Sequence, residues 1–174
     1  MIILQSTRLY VRRYVPEDLD SFYLMNSDPE LMRYIRPPKN FEEARNFLKE
    51  NIDFYTANPG LGRWALVSKL NDYHVGSLSL LPLEQTSDIH IGYVLLKPYW
   101  GLGYATEIVE TGIRYAFDQL QLKTLTGVTY PENIPSQKVL LRNGFAFERS
   151  FYENGKESRL FRLNNPNPHL NPVS

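Results

Sequence analysis

Cysteine is absent from the 174-residue chain, and histidine occurs only three times. The missing thiols exclude disulfide bonds, thiolate metal sites and any acyl-cysteine intermediate. The three histidines, His74, His90 and His169, show no metal-ligand spacing, so we expect no metal cofactor. A chain without cysteine is typical of a reducing compartment, and we expect a cytoplasmic protein.

An excess of charge is also lacking, because 19 basic residues balance 19 acidic residues. No overall field would hold the protein on nucleic acid or on an anionic membrane, so we expect neither as a partner. The apolar run at residues 2–4 ends at Gln5 and is far shorter than the roughly 20 residues of a transmembrane helix. An anionic ligand would have to be bound by local groups.

The chain length is suited to one domain, and we predict a single domain over residues 1–163 with a flexible C-terminal tail over residues 164–174. Apolar periodicity and turn residues predict the following elements. They are a strand at 8–14, helices at 16–26 and 40–58, strands at 63–70, 74–83 and 87–96, a helix at 104–120, a strand at 124–130, a helix at 134–142, and a hairpin turning at Asn154-Gly155.

Short connections between the middle strands predict an antiparallel meander, whereas the strand–helix–strand step from residue 88 to residue 130 predicts one parallel pair. The fold class is therefore α+β (α/β), with a mixed, mostly antiparallel central sheet of about seven strands and four main helices.

Two glycines, Gly101 and Gly103, lie between a predicted strand and the start of a helix. Such a loop can bind an anion through free backbone N–H groups and the helix dipole, or it can simply make a turn. The lysine and spacing of a P-loop are missing. A dinucleotide fingerprint is a weak match as well, because its third glycine position is Thr106.

The segment "IGYVLLKPYWGLGYATE" resembles the acyl-coenzyme A loop of the GNAT superfamily of N-acetyltransferases. The family pattern, Arg or Gln followed by x-x-Gly-x-Gly/Ala, falls on Trp100, Gly103 and Ala105. A second segment, "ENIPSQKVLLRNGF", resembles the next motif of the family, and "TRLYVRRYVPEDLD" resembles the start of its RimJ/RimL-like branch. The resemblance covers all of the chain except the tail.

The resemblance implies a GNAT fold and acetyl-CoA as cofactor, with coenzyme A as product. Backbone amides of residues 101–106 would bind the pyrophosphate, and the main chains of Val94 and Leu96 would pair with the pantetheine arm. The implied cofactor-binding residues are Val94, Leu95, Leu96, Gly101, Leu102, Gly103, Tyr104, Ala105, Thr106 and Asn133. Trp100 and Leu102 stand where basic or amide side chains are frequent in the family, which reduces the side-chain charge at the phosphates.

The resemblance also implies two catalytic residues. His90 occupies a position where relatives often carry a glutamate base, and its ordinary pKa near 6.5 suits a base; it could equally be a polar residue on a strand face. Ser136 could protonate the leaving sulfur or could simply lie in the first turn of a helix. Asn133 could bind the cofactor, cap that helix, or do both.

Some relatives place a tyrosine general acid where this chain has Leu140, so another hydroxyl group such as Ser136 or Tyr130 would have to act. Glu84, Glu153 and Glu157 could reach the acceptor, although carboxylates near turns are usually solvated.

The leading hypothesis is an acetyl-CoA-dependent N-acetyltransferase in which a primary amine attacks the acetyl group directly. The branch resemblance favours a protein or peptide amino terminus as acceptor. The alternatives are a small-molecule amine such as a polyamine, amino sugar or amino acid, a non-catalytic acyl-CoA sensor, and an interaction protein whose loop merely turns. Relatives are often dimers, so a homodimer is possible.

Overall fold

The computed structural model describes residues 1–153 and 155–168. Within them the strands are β1 (Ile2–Gln5), β2 (Leu9–Arg13), β3 (Gly62–Ser68), β4 (His74–Pro82), β5 (Ile89–Leu95), β6 (Thr124–Thr129), β7 (Ala146–Glu153) and β8 (Lys156–Asn164). The α-helices are α1 (Leu19–Ser27), α2 (Pro29–Met32), α3 (Phe41–Ala57), α4 (Tyr104–Arg114) and α5 (Ile134–Arg142). A wide helical turn over Tyr115–Gln119 continues α4 almost to its predicted end.

The described strands form one eight-stranded sheet in the order β1-β2-β3-β4-β5-β6-β8-β7. Only β5 and β6 are parallel neighbours, joined by the crossover helix α4, and the other pairs are antiparallel. The predicted mixed sheet and its single parallel step are therefore confirmed. The strand number is eight and not about seven, because the short β1 pairs with β2 at the sheet edge.

The two faces of the sheet are covered by different helices. Directly opposed residues of paired strands share a face, and successive residues alternate between faces. Trp64, Leu78 and Ile91 lie in the apolar core shared with Ile108 of α4. On the opposite face, Ala65 and Val67 pack with apolar residues of α1 and α3. The residues at even-numbered positions of β5, including His90, therefore face α1–α3.

Local sequence explains where the helices begin. Asn40 accepts a hydrogen bond from the Glu43 N–H at 2.9 Å, and the Glu43 carboxylate accepts one from the Asn40 N–H at 2.8 Å. This reciprocal cap starts α3 one residue after its predicted boundary. Asn133 accepts a hydrogen bond from the Ser136 N–H at 3.3 Å and so caps α5.

The sheet opens between β5 and β6. The pairing of β4 with β5 extends over the whole of β5, from Ile89 to Leu95, whereas β5 meets β6 in register only at His90 and Thr126. Beyond His90 the two parallel strands diverge toward their carboxyl ends. A gap at this position, next to the start of a crossover helix, is a typical ligand site in sheets with parallel strands.

The end of the chain is only partly described. β8 continues through Asn164, and the Asn165 N–H donates to the Lys123 carbonyl at 2.9 Å. Residues 169–174, including His169, and the turn residue Asn154 lie outside the described residues. The domain boundary and the flexible tail therefore remain predictions. None of the helices in the described ranges has both the length and the apolarity needed to cross a membrane.

Candidate active site

The gap between β5 and β6 opens into a cavity of about 1220 Å³. Most of the predicted site residues line it. These are His90, Val94, Leu95, Gly101, Gly103, Tyr104, Ala105, Thr106, Asn133 and Ser136. Leu96 and Leu102 do not belong to this lining. Residues 1–153 and 155–168 contain no cluster of three or more histidine and acidic side chains that could hold a metal ion.

The amino end of α4 is built to receive an anion. Gly101 and Gly103 have φ angles of 70° and 78°, a left-handed conformation that strains other residues. The N–H groups in the first turn of any α-helix have no partner within the helix. In α4 no side chain caps them either. A Cβ atom at Gly103 would lie 3.5 Å from Arg8, whereas one at Gly101 would meet open space. Free amides and the helix dipole together favour a phosphate group here.

Arg8 lies beside the glycine loop and contacts it through its guanidinium, a role that the sequence did not predict. Its Nε lies 2.6 Å from Glu107 Oε2, and its Nη1 donates to the Leu102 carbonyl at 2.9 Å. The guanidinium carbon stacks 4.1 Å from the centre of the Tyr104 ring. Burial alone would raise the pKa of Glu107, but hydrogen bonds from Ser6 and Arg8 outweigh it and lower that pKa. Arg8 thus holds the loop in place.

Trp100 has a structural task in place of the family's arginine or glutamine. Its indole Nε1–H donates to the Leu95 carbonyl at 2.6 Å. The bond joins the start of the glycine loop to the end of β5, so the loop and the strand edge keep a defined relative position. The departure from the family pattern therefore does not weaken the geometry of the loop.

The register of β5 corrects the predicted main-chain pairing. The Leu96 N–H donates to the Val75 carbonyl at 2.9 Å. Because hydrogen-bonding direction alternates along a strand, the backbone of Val94 also faces β4, opposite Ser77. Val94 and Leu96 therefore cannot offer their N–H groups to a ligand in the gap. The alternate residues Tyr93 and Leu95 face it instead.

His90 lies on the sheet face that α1–α3 cover, and it lines the cavity. Burial lowers the pKa of His90 to about 4, and the positive charge of Arg63 contributes to the decrease. The imidazole is therefore neutral at pH 7 and can accept a proton. It is a weaker base than an exposed histidine, which suits an acceptor amine that is already partly neutral.

Ser136 and Tyr93 bring two hydroxyl groups together across the gap. Burial raises the pKa of the Tyr93 phenol, and the nearby Ser136 hydroxyl opposes that increase. Leu140 has no such role, because its side chain packs on Gly127 of β6, where a Cβ atom would lie 2.6 Å from Leu140. The aromatic content of the sequence pointed only to a packing role for Tyr93. A role for its hydroxyl group was not predicted, since nothing along the chain indicates that β5 faces the start of α5.

Three carboxylates were candidates to reach the acceptor, and two of them line the cavity. Glu84 and Glu153 line the exposed rim of the cavity. Glu157 does not line the cavity and accepts a hydrogen bond from Ser150 at 2.7 Å. Tyr130 does line it and lies 6.5 Å from Tyr34, measured between ring centres.

Comparison with known proteins identifies the class to which this fold and site belong. Residues 8–146, more than half of the chain, match the family model described as an acetyltransferase (GNAT) domain. The chain belongs to the GNAT acetyltransferase family. It is therefore an acetyltransferase that uses acetyl-CoA, as the resemblance implied, and the uncapped helix and the Gly103 loop suit the phosphate groups of that cofactor.

Individual relatives agree with this assignment. The chain is 31% identical over 152 residues to the uncharacterized N-acetyltransferase p20 of Bacillus licheniformis, covering 86% of this chain and 84% of that protein. A GNAT-family acetyltransferase from Bacillus anthracis has a TM-score of 0.80 at 22% identity, with 94% and 98% of the chains covered. RimL, a ribosomal L7/L12 alpha-N-protein acetyltransferase in complex with coenzyme A, has a TM-score of 0.80 at 19% identity and the same coverage. These structural likenesses show a shared fold.

Proposed function

We propose that this acetyltransferase transfers the acetyl group directly to a primary amine, and that the amine is the amino terminus of a protein or peptide. The main support for direct transfer is one continuous cavity, which extends from the uncapped start of α4 through the β5–β6 gap to His90. The name of RimL, an alpha-N-protein acetyltransferase with the same fold, supports this acceptor class.

Each part of the cavity has a role in the proposed reaction. When bound, acetyl-CoA supplies the thioester carbonyl that the amine attacks. The amides of residues 104–106 hold its phosphate groups, and the Leu95 N–H, which points into the gap, polarises the carbonyl oxygen. Neutral His90 takes the proton of the amine at an imidazole nitrogen, directly or through water. An α-amino group with a pKa of about 8 needs little assistance.

The leaving sulfur needs a proton from the opposite side of the gap. Ser136 and Tyr93 both line the cavity there, and the proton would move from the Ser136 hydroxyl while Tyr93 replaces it. Solvent would then return a proton to Tyr93, and the proton that His90 took from the amine would pass to solvent. This relay substitutes for the tyrosine that Leu140 replaces.

The proposal is tested in two steps. Calorimetry with coenzyme A should show binding, and the absence of binding at millimolar ligand would refute the cofactor site. A screen of amino-terminal peptides, polyamines and aminoglycosides, measured by thiol release in the presence of acetyl-CoA, should then show turnover of peptides. Turnover of only the small amines would move the acceptor class to small molecules. Binding without any turnover would indicate an acyl-CoA sensor.

A further inference from the structure

Two arginines, Arg36 and Arg63, line the acceptor side of the cavity. Arg63 comes from β3, and Arg36 follows α2 in the segment that leads to α3. Each guanidinium carbon lies 4.8 Å from the centre of the same ring, that of Phe47 in α3. Lys39 Nζ lies 4.9 Å from the same ring centre, so three cations surround one aromatic side chain. Of the three, Arg36 and Arg63 line the cavity.

Neither arginine has a carboxylate within ion-pair distance in the ranges 1–153 and 155–168. Arg36 donates one hydrogen bond, from Nη1 to Asn26 Oδ1 at 2.9 Å. No hydrogen bond from the Arg63 side chain is present within those residues. The nearby Glu30 is bound to Lys97 at 2.6 Å. Most of the donor groups of the two guanidiniums are therefore available to a ligand.

The environment makes these unbalanced charges unfavourable. Burial, together with the positive charge of Arg63, lowers the pKa of Arg36 to about 10. Burial also lowers the pKa of Arg63. Stacking on Phe47 offsets only part of this cost. By contrast, Arg12 is balanced by Asp18 at 2.7 Å and Arg162 by Asp88 at 2.9 Å.

The two cations lie close to the proposed reaction centre. In the sheet, Arg63 is directly opposite Ser79, which is opposite Gly92, two residues from His90 on the same face. Gly92 presents no side chain, so the space above this row is part of the cavity. The charge of Arg63 is close enough to influence the pKa of His90. An anion bound here would lie beside an amine that approaches His90.

We propose that Arg36 and Arg63 form an acceptor subsite for an anionic oxygen group, so that the favoured amine carries a carboxylate or phosphate close to its amino group. This inference rests on the proposed function and adds a substrate class to it. A guanidinium fork matches the two oxygens of such a group, and charged hydrogen bonds give the contact its strength. On the proposed peptide acceptor the anion would be an acidic or phosphorylated side chain near the amino terminus. The α-carboxylate of a free amino acid or the phosphate of a small amine would present the same chemistry, and preference for one of these would move the acceptor class to small molecules.

Binding of matched amines distinguishes these sources. The probes are serine against serinamide, Ser-Glu-amide against Ser-Gln-amide, and phosphoethanolamine against ethanolamine, each titrated calorimetrically into the protein saturated with coenzyme A. At least one anionic member should bind about tenfold more tightly than its neutral partner. Arg63→Gln and Arg36→Gln should abolish that preference. Arg45→Gln, the same change at an exposed arginine of α3, should retain it.

Thermal unfolding provides a second measurement. Arg63→Met should raise the Tm, because it removes a cation without a partner, and should reduce the increase in Tm that sulfate causes in the unchanged protein. The increase that remains comes from the loop end and from the general effect of sulfate. Equal or undetectable binding of both members of every pair, or a lowered Tm in Arg63→Met with the anion preference intact, would overturn the proposal. Failure of the proposed acetyl transfer is recognised separately, by the absence of coenzyme A binding or of thiol release.

Discussion

The two ends of the cavity would contact a ligand through different groups, backbone N–H groups at one end and arginine side chains at the other. At the loop end, residues 101–106, the groups that face a ligand belong to the backbone, and the charge of Arg8 is balanced by Glu107. At the arginine end, Arg36 and Arg63 face a ligand with side chains from distant elements, and no carboxylate of the described residues balances them. The side-chain charge at the loop end is thus already balanced, and an anion there would meet backbone amides. The arginine end, by our proposal, would gain stability from an anion. One cavity can thus combine a cofactor site that binds through backbone amides with an acceptor site that binds through charged side chains.

The largest expected effect concerns His90, which adjoins the arginine end. His90→Gln should lower kcat about 100-fold, the usual contribution of a positioned base, and leave coenzyme A affinity unchanged. Steady-state kinetics and calorimetry check the two values. An unchanged kcat would show that the histidine is only a polar residue on the sheet face.

The pH dependence of stability gives a second measurement on His90. Its folded pKa of about 4 lies below the ordinary 6.5, as does that of the buried His74. The unfolded chain therefore binds more protons in this range, and stability decreases as pH falls from 6.5 toward 4. Denaturant unfolding at pH 7, 6 and 5 should show this decrease. The slope of the unfolding free energy against pH reports how many protons unfolding takes up. His90→Gln should reduce that number by up to one, and an unaltered slope would contradict the lowered pKa of His90.

At the loop end, Gly103→Val should weaken coenzyme A binding at least about tenfold, because a β-branched residue in the left-handed region is strained and its side chain would approach Arg8. Gly101→Ala is the matched control, since its Cβ would meet open space and only the strain remains. Calorimetry should rank the two variants. Equal affinities would mean that Gly103, like Gly101, serves only the turn.

Arg8→Met should have a smaller effect, a several-fold loss of coenzyme A affinity, because the loop amides remain but lose the guanidinium that fixes Leu102 and Tyr104. Arg8→Lys keeps the charge but cannot make the forked contact, so it should recover only part of the affinity. Full affinity in Arg8→Met would show that the loop holds its shape without the clamp.

The smallest effect is expected at Asn133, between the two ends. Asn133→Ala removes the cap of α5 and should cost about 1 kcal/mol of stability. Its Nδ2 has no acceptor among the described residues, so it can also face the cofactor. A lower free energy of unfolding with unchanged coenzyme A affinity would leave Asn133 with the capping role alone.

Much of this structure could be predicted because its signals are local. The capping residues Asn40 and Asn133 mark helix starts, and the apolar period after Gly103 marks α4. The strand β1 escaped prediction because four residues with one buried side chain carry little pattern of their own. The predicted pairing of Val94 and Leu96 was wrong because the direction of backbone hydrogen bonds depends on register with β4, which the residues of β5 do not encode.

The sequence by itself determined the family, the glycine loop, the order of the elements and the exclusion of cysteine chemistry, because each depends on neighbouring residues or on composition. Only the tertiary structure decided the pairs that meet across long separations. Arg8 and Glu107 are 99 positions apart, and Arg36 and Arg63 come together only where α3 packs on the sheet. Whether a charge is balanced depends on which groups are near it in space, not on its neighbours along the chain. The lack of a carboxylate partner for Arg36 and Arg63 could therefore be recognised only from the tertiary structure.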